Sequence, residues 1–446
     1  MKKLIILGGG ESGVGTALLG QMKGFDVFLS DSGQLKPQHK EELEKAGIRY
    51  EEGGHSEENI LVADEVVKSP GIPEKAPIIK KLREKNVHII SEIEFASRYT
   101  KAKKICITGS NGKTTTTLLT HHLLTTAYYK AELAGNVGTS LARQIAAGNE
   151  PDWYVIELSS FQLDGMYDFK ADIAILNNIT PDHLDRYEYK FENYIRSKFR
   201  ILQNQTKADS FIYNADDPVT AEWLPKMTVG ATSYAVTTKH TDTPVYTMNG
   251  VMHVGIDKSK NFMFVAENLP IKGLHNIYNA MQACTAAQLV GLTDDEIAFG
   301  LKTFVNAHHR LEFVREFEDV EYVDDSKATN VDSAWYALEC QKRPVVWIAG
   351  GTDKGNDYST LNELAKEKVK ALVCLGVDNA KLMKSFHGII PVILEAKSMQ
   401  ECIDKCHAAA EPGDVVLLSP CCASFDLFNS YKHRGDLFKE CVNNLK

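Results

Sequence analysis

The sequence predicts an α/β protein made of three successive domains, and three observations carry that expectation. Strand-like Lys3–Leu7 enters the Gly-rich stretch Gly8–Gly13 and leads on to a second strand, Val27–Ser30. Lys104–Thr108, short and β-branched, enters Gly109-Ser110-Asn111-Gly112 and then a helical pattern over Thr114–Leu124. In the last third, the apolar runs Val345–Ala349, Ala371–Leu375, Pro391–Leu394 and Val415–Leu418 alternate with helical stretches, the pattern of a parallel sheet. With 446 residues, the chain has room for about three domains of ~150 residues each. The divisions expected are 1–98, 99–306 and 307–446.

Composition narrows the function classes. The net charge is −9 with both signs interspersed, which argues against a nucleic-acid partner. Nine cysteines at irregular spacing suit reduced thiols rather than a disulfide framework. Cys402, Cys406 and His407 share a helix face and mimic half of a zinc site, but no second half accompanies them. Met1–Gly10 is apolar yet too short and too rich in glycine for a signal peptide or a membrane span. The expectation is a soluble, cytoplasmic protein that engages no membrane.

In the first domain, Gly8, Gly10 and Gly13 satisfy G-x-G-x-x-G, and the second strand ends at Asp31. That fingerprint reads a pyrophosphate rather than a nicotinamide, so NAD and other diphosphate ligands both meet it. A further strand, Val62–Lys68, runs into the rigid turn Ser69-Pro70-Gly71-Ile72-Pro73. Such a turn either contacts a ligand at the carboxyl end of the sheet or is a plain loop.

The middle domain opens on KKICITGSNGKTTTT, Lys103–Thr117. Strand, glycine loop and helix in that order gather backbone N–H groups and a positive helix end at one point, where a polyphosphate binds well. Lys113 would neutralise the terminal phosphates and the Thr114 hydroxyl would ligate Mg²⁺. The full pattern asks for glycine at position 107, which is Ile107, so the loop is a shortened variant. Beyond it lie the glycine-bracketed Asn136 and the strand Trp153–Glu157, which ends in a carboxylate. Ala171–Leu176 is a further strand, followed by NNITPDHL with His183. A carboxylate and a histidine at strand ends beside a phosphate loop suit Mg²⁺ or its water shell, against a solvated acid and a packed histidine. Phe191–Leu202 reads as a helix whose Lys198, taken alone, is a solvated surface lysine; His121 and His122 read as surface residues. From about Ala231 to Leu269 short strands with an Asn249-Gly250 hairpin signal suggest a β excursion on the domain edge. GLHNIYNA then starts a helix whose Asn276 reads a base edge or caps the helix.

The last domain carries polar loops at its strand ends, Gly350–Lys354 and Ser419–Ser424. Ahead of its sheet sits YVDDSKATN, Tyr322–Asn330, dense in charge and hydroxyl. A solvated face or a site fits that run, and loops of this kind concentrate functional groups.

Together these stretches resemble the Mur ligase family, the ATP-dependent ligases of peptidoglycan precursor synthesis, over essentially the whole chain. TGSNGKT is similar to the family's ATP loop, GLHNIYNA to its central motif and AHHRLE to its hinge motif. The SPGIP turn, DDSKATN and the ending LSPCCASFDLFNSYKHRGDLF resemble the branch that adds D-glutamate. The resemblance implies a Rossmann-like N-terminal domain, a central P-loop ATPase-type domain with a parallel sheet and β excursion, and a C-terminal Rossmann-like domain. It implies small-molecule substrates, UDP-N-acetylmuramoyl-L-alanine and D-glutamate, joined through an acyl phosphate by a monomeric enzyme.

Residue roles follow from the same resemblance. Gly109, Ser110, Asn111, Gly112, Lys113, Thr114 and Thr115 would form the ATP loop. Asn276, Arg310 and Asp325 would hold the adenine, phosphate and ribose parts. Thr114 and Glu157 would serve a first Mg²⁺, and His183 a second together with Lys198, which the family carries as a carbamate. An ammonium repels Mg²⁺, whereas a carbamate supplies anionic oxygens. Ser12, Asp31, Ser69 and Asn136 would hold the UDP-sugar. Lys327, Thr329, Lys354, Ser424, Tyr431 and His183 would bind D-glutamate, hydroxyls and ammoniums matching its two carboxylates. Tyr431 stands where related enzymes often carry Phe. Lys113, His183 and Lys198 would be the catalytic set.

Overall fold

The computed structural model describes residues 1–257 and 260–446. Three sheets form its frame. The first has β1 (Lys3–Leu7), β2 (Asp26–Asp31), β3 (Arg49–Glu52), β4 (Glu65–Lys68) and β5 (His88–Ile90) in the order β3-β2-β1-β4-β5. All its neighbours are parallel, the doubly wound arrangement.

The second sheet comprises β6 (Lys103–Thr108), β7 (Ala131–Gly135), β8 (Trp153–Glu157), β9 (Ile173–Leu176), β10 (Ser210–Asn214), β11 (Thr232–Thr237), β12 (Val245–Met248), β13 (Val251–Asp257) and β14 (Lys260–Val265). Its order is β14-β13-β12-β11-β10-β9-β6-β8-β7, parallel as far as β12 and antiparallel over β12-β13-β14. The β excursion is therefore a hydrogen-bonded extension of the sheet, turned at Asn249-Gly250, where both residues have positive φ. Lys258 and Ser259, inside that stretch, lie outside the described residues. β8 and β9 are buried along their whole length and β6 from Ile105 onward, as expected of parallel strands covered on both faces.

The third sheet holds β15 (Glu312–Phe317), β16 (Val320–Asp324), β17 (Val345–Gly350), β18 (Val369–Leu375), β19 (Val392–Ala396) and β20 (Val415–Cys421) in the order β15-β16-β20-β17-β18-β19. Only β15 is antiparallel to its neighbour. Tyr322–Asp324, expected ahead of the sheet, belongs to it: β16 lies beside β20 and buries Tyr322, Val323 and Asp324. Cys402 and Cys406, whose spacing mimics half of a zinc site, pack with Ile403, Phe438 and Val442 in the core under this sheet.

The chain divides into two compact units, one of Met1–Leu269 with Tyr278–Phe304, the other of Pro270–Ile277 with Val305–Lys446. Within the first unit one apolar core runs on from Leu4, Ile6 and Val14 of the first sheet and its helix to Leu141, Tyr154 and Leu176 of the second sheet and its helix. Polar contacts reinforce it. Arg143 pairs with Glu11 and Glu42. Glu94 accepts the N–H groups of Tyr167, Asp168 and Phe169 at 2.9–3.2 Å. Glu92 Oε1 accepts from Ser140 Oγ and the Ala142 N–H at 3.0 and 2.7 Å. No helix among the described residues is long and apolar enough to cross a membrane.

Candidate functional site

The loop between β6 and the helix Lys113–Thr126 is built on two glycines with positive φ, +150° at Gly109 and +83° at Gly112. Gly112 favours glycine on two counts, since an added Cβ would strain the left-handed backbone and would displace Asn279 Oδ1. The loop is pinned from the segment after β9: the Ser110 N–H donates to the Asn178 carbonyl at 2.9 Å and the Asn111 N–H to Asn178 Oδ1 at 2.9 Å. Beneath it, Asn177 Nδ2 donates to Thr116 Oγ1, Asn279 Oδ1 and Gln282 Oε1 at 2.8, 3.2 and 2.6 Å. This buried amide network holds the threonine-rich helix, whose β-branched residues alone favour other conformations. Lys113 Nζ donates to the Gly109 and Ser110 carbonyls at 2.8 Å each, which places its charge at the loop.

Lys198 corrects the reading of it as a solvated surface residue. It is 2% exposed and its Nζ donates to the Gly109 carbonyl at 2.7 Å and to Thr108 Oγ1 at 3.2 Å. Burial, and then the Lys113 ammonium, push its pKa well below the ordinary lysine range. An unprotonated amine is the form that reacts with carbon dioxide. Glu157, at the end of β8, is buried; its Oε1 accepts from Asn136 Nδ2 at 3.3 Å, and Oε2 has no hydrogen-bond partner among the described residues. A buried carboxylate oxygen left unsatisfied is costly unless a cation completes it. A carboxylate such as Glu157 and a hydroxyl such as that of Thr114 are oxygen donors of the kind Mg²⁺ takes.

His183 has a left-handed backbone (φ +52°) in the loop after β9, and its ring meets the Phe161 ring edge-on at 5.2 Å. Its neighbour Asp182 is among the carboxylates whose field acts on Lys198. His121 and His122, expected on the surface, are half-buried and bond to the Ala131 carbonyl and to Thr303 Oγ1. At the carboxyl ends of the first sheet, Asp31 accepts from the Gly9 and Gly33 N–H groups at 2.5 and 2.7 Å, and a Cβ on Gly8 would meet Ser69 at 2.6 Å. Ser12 lies in the first turn of the helix Glu11–Met22. Ser12, Asp31 and Ser69 thus surround one glycine-rich turn, while Asn136 joins Glu157.

The second unit gathers the remaining residues. Asp325, at the end of β16, accepts from Ser419 Oγ at 2.9 Å and from the Leu311 N–H at 3.3 Å. Burial raises its pKa to about 7 against the lowering influence of Arg310. Arg310 lies between two left-handed residues, His309 and Leu311, and its Nε is buried without a hydrogen-bond partner among the described residues. Burial and then Arg310 push His275 down to about 3, so it is neutral. Asn276 Nδ2 donates to the Lys272 carbonyl at 2.7 Å. The Lys327 ammonium sits 5.6 Å from the Tyr431 ring centre, and the Thr329 N–H donates to the Lys327 carbonyl. Ser424 is buried and Lys354 exposed, on two loops joined where the Thr352 N–H donates to the Ala423 carbonyl at 2.8 Å. Arg434, which sequence reasoning missed, is 1% exposed and donates to Ser326 Oγ and to the Ser326 and Cys422 carbonyls, tying these loops together. Asn177, Asn279, Gln282 and Tyr194 were given no role by the sequence either; Asn177 opens NNITPDHL and Asn279 is the second asparagine of GLHNIYNA, three residues after Asn276.

Comparison with known proteins covers the chain almost end to end. Residues 2–91 match the Mur ligase MurD-like N-terminal domain, residues 107–287 the Mur ligase middle domain, and residues 309–422 the Mur ligase glutamate ligase domain. The UDP-N-acetylmuramoylalanine–D-glutamate ligase of Cytophaga hutchinsonii is 52% identical, over 99% of this chain and 98% of its own. That of Bacteroides fragilis is 50% identical over 100% of both. The solved structure of MurF ligase from Thermotoga maritima in complex with ADP shares the fold, with a TM-score of 0.61 at 14% identity, covering 94% of this chain and 95% of its own. With three domain matches in family order and half of its residues shared with full-length relatives, the chain belongs to the Mur ligase family.

Proposed function

We propose that the protein joins D-glutamate to UDP-N-acetylmuramoyl-L-alanine at the expense of ATP, in peptidoglycan precursor synthesis. One observation carries this reading: a phosphate-type loop with Lys113 at its helix end packs against a buried Lys198. It occurs in a chain 52% identical over 99% of its length to a ligase named for that reaction. Residues 1–98 serve the UDP-sugar through Ser12, Asp31 and Ser69, and residues 99–306 serve ATP and both metal positions. Asn136, though in the second stretch, also serves the UDP-sugar, and Asn276, Arg310 and Asp325 serve the nucleoside and phosphate of ATP. Residues 307–446 serve D-glutamate through Lys327, Thr329, Lys354, Ser424 and Tyr431, with His183 contributing from the middle domain. The enzyme acts as a cytoplasmic monomer.

The chemistry begins from a poor electrophile, the alanyl carboxylate. Transfer of the terminal phosphoryl of ATP to it gives an acyl phosphate, and the amine of D-glutamate then displaces phosphate to form the amide. Lys113 and the N–H groups of Gly109–Thr115 hold the phosphates and offset charge as the phosphoryl group moves. Thr114 and Glu157 would hold one Mg²⁺, and His183 with carbamylated Lys198 a second, and the ions would supply charge neutralisation there. Lys198 is suited to that modification because burial holds its amine toward the neutral form.

Phosphate release measured with UDP-N-acetylmuramoyl-L-alanine, Mg-ATP and a panel of D- and L-amino acids tests the reading. Release with D-glutamate alone is the expected result. Equal release with every amino acid, or none with any, would overturn it.

A further inference from the structure

Arg186 has no part in the roles given above, yet its guanidinium joins two of the segments that do. Its Nη2 donates to the carbonyls of Pro70 and Ile72 at 3.1 and 3.3 Å, and its Nη1 to that of Gly71 at 3.4 Å. Three successive carbonyls of the Ser69–Pro73 turn thus converge on one cation. The face of the same guanidinium lies 4.4 Å from the centre of the Phe161 ring, a cation–π contact. Phe161 in turn meets the His183 ring edge-on at 5.2 Å and stacks on Tyr187 at 5.9 Å. Tyr187 continues to Tyr194, whose hydroxyl lies 3.0 Å from Ser110 Oγ in the phosphate loop.

Lys68 is the other cation at the turn; it is largely buried, reaches the Ile72 carbonyl at 2.8 Å and pairs with Glu74 at 3.2 Å. Lys68 ends the turn's own strand, β4, whereas Arg186 comes from the segment that carries His183. Arg186 therefore sets the turn relative to the second sheet. A planar trans peptide points its N–H opposite its carbonyl, so drawing the Pro70 carbonyl onto Arg186 turns the Gly71 N–H to the opposite side.

We propose that Arg186 is a positioning residue that sets the Ser69–Pro73 turn for the UDP-linked substrate and fixes it to the loop bearing His183. This rests on the assignment of that turn to the UDP-sugar under Proposed function. Lysine does not reproduce the function, because an ammonium lacks the planar fork that bonds these carbonyls along its edge while lying flat on the Phe161 ring.

The test compares full-length wild type with Arg186→Lys and Arg186→Ala. Binding of UDP-N-acetylmuramoyl-L-alanine and of Mg-ATP is measured by calorimetry, and KM and kcat by phosphate release. Arg186→Lys should raise the KM and Kd for the UDP-linked substrate about tenfold, and Arg186→Ala by more, with Mg-ATP affinity and melting temperature close to wild type. Phe161→Leu, which keeps the carbonyl contacts and removes the ring, should lower kcat with a smaller change in KM. Equal weakening of both ligands with a lower melting temperature would mean general loosening and overturn the proposal. Arg186→Lys carries the test should the alanine variant fail to fold. Wild-type affinity in both Arg186 variants overturns the positioning role alone, whereas wild type that does not bind the UDP-linked substrate overturns the functional reading beneath it.

Discussion

Tyr194 OH and Ser110 Oγ lie 3.0 Å apart, so the helix bearing Lys198 and the loop bearing Lys113 are locked to one another. Ser110 Oγ also bonds to the Thr180 carbonyl at 2.9 Å and accepts from the Thr180 N–H at 2.9 Å. The two lysines therefore sit in a frame that neither of them builds, and each can be removed without dismantling it.

Lys113→Ala should abolish turnover, with a loss of about a thousandfold or more, because phosphoryl transfer depends on charge offset at the transferred group. Circular dichroism and melting temperature should match wild type. Ligase activity near normal would refute the phosphate role.

Lys198→Ala should be inactive and partly rescued by short-chain carboxylic acids such as acetate, which supply the oxygens a carbamate would carry. Steady-state assays across acetate concentration check this. Full activity without any additive would remove Lys198 from the metal site.

Asn177→Leu should destabilise the first unit by roughly 2–4 kcal/mol, because it orphans the buried acceptors on Thr116, Asn279 and Gln282. Urea unfolding followed by fluorescence gives the figure. A change of only a few tenths would mean that water or rearranged side chains replace the amide.

Glu92 provides a pH test. Burial, opposed by its bonds to Ala142 and Ser140, raises its pKa to about 7. The folded chain keeps a proton that the unfolded chain releases at about 4.3, so the unfolded state binds fewer protons over that interval. The stability this group contributes is complete below about pH 4 and falls as pH rises to 7. Glu92→Gln removes the slope while retaining an acceptor for Ser140 and Ala142. Between pH 5 and pH 8 the variant should gain on wild type by on the order of 1–3 kcal/mol in urea unfolding. Parallel curves would show that Glu92 is ionised throughout.

Much of the fold was legible because its strands are buried on both faces. Trp153–Glu157 and Lys3–Leu7 match strands to the residue, since an apolar run bounded by polar groups has few other readings. The hairpin at Asn249-Gly250 was legible from turn chemistry. The place of Lys198 was not, because its amine is held by Thr108 and Gly109, some ninety positions earlier in the chain. Local pattern assigns a lysine to solvent, and only the tertiary structure shows a buried place for it. Tyr322–Asp324 hid for the opposite reason: Asp324 and Asp325 made the end of a strand resemble a polar loop ahead of the sheet. Their burial depends on His309, which bonds to Asp324 at 2.6 Å, and on Arg310 beside Asp325.

The apolar core shared by the first two sheets has a practical outcome. Excising the first ninety or so residues would not release a self-sufficient module, since it would bare apolar surface that now meets Leu141, Tyr154 and their neighbours. Both severed pieces would expose greasy surface and tend to clump, so protease nicking near Tyr99 should leave the halves bound together until the whole block melts in a single cooperative step.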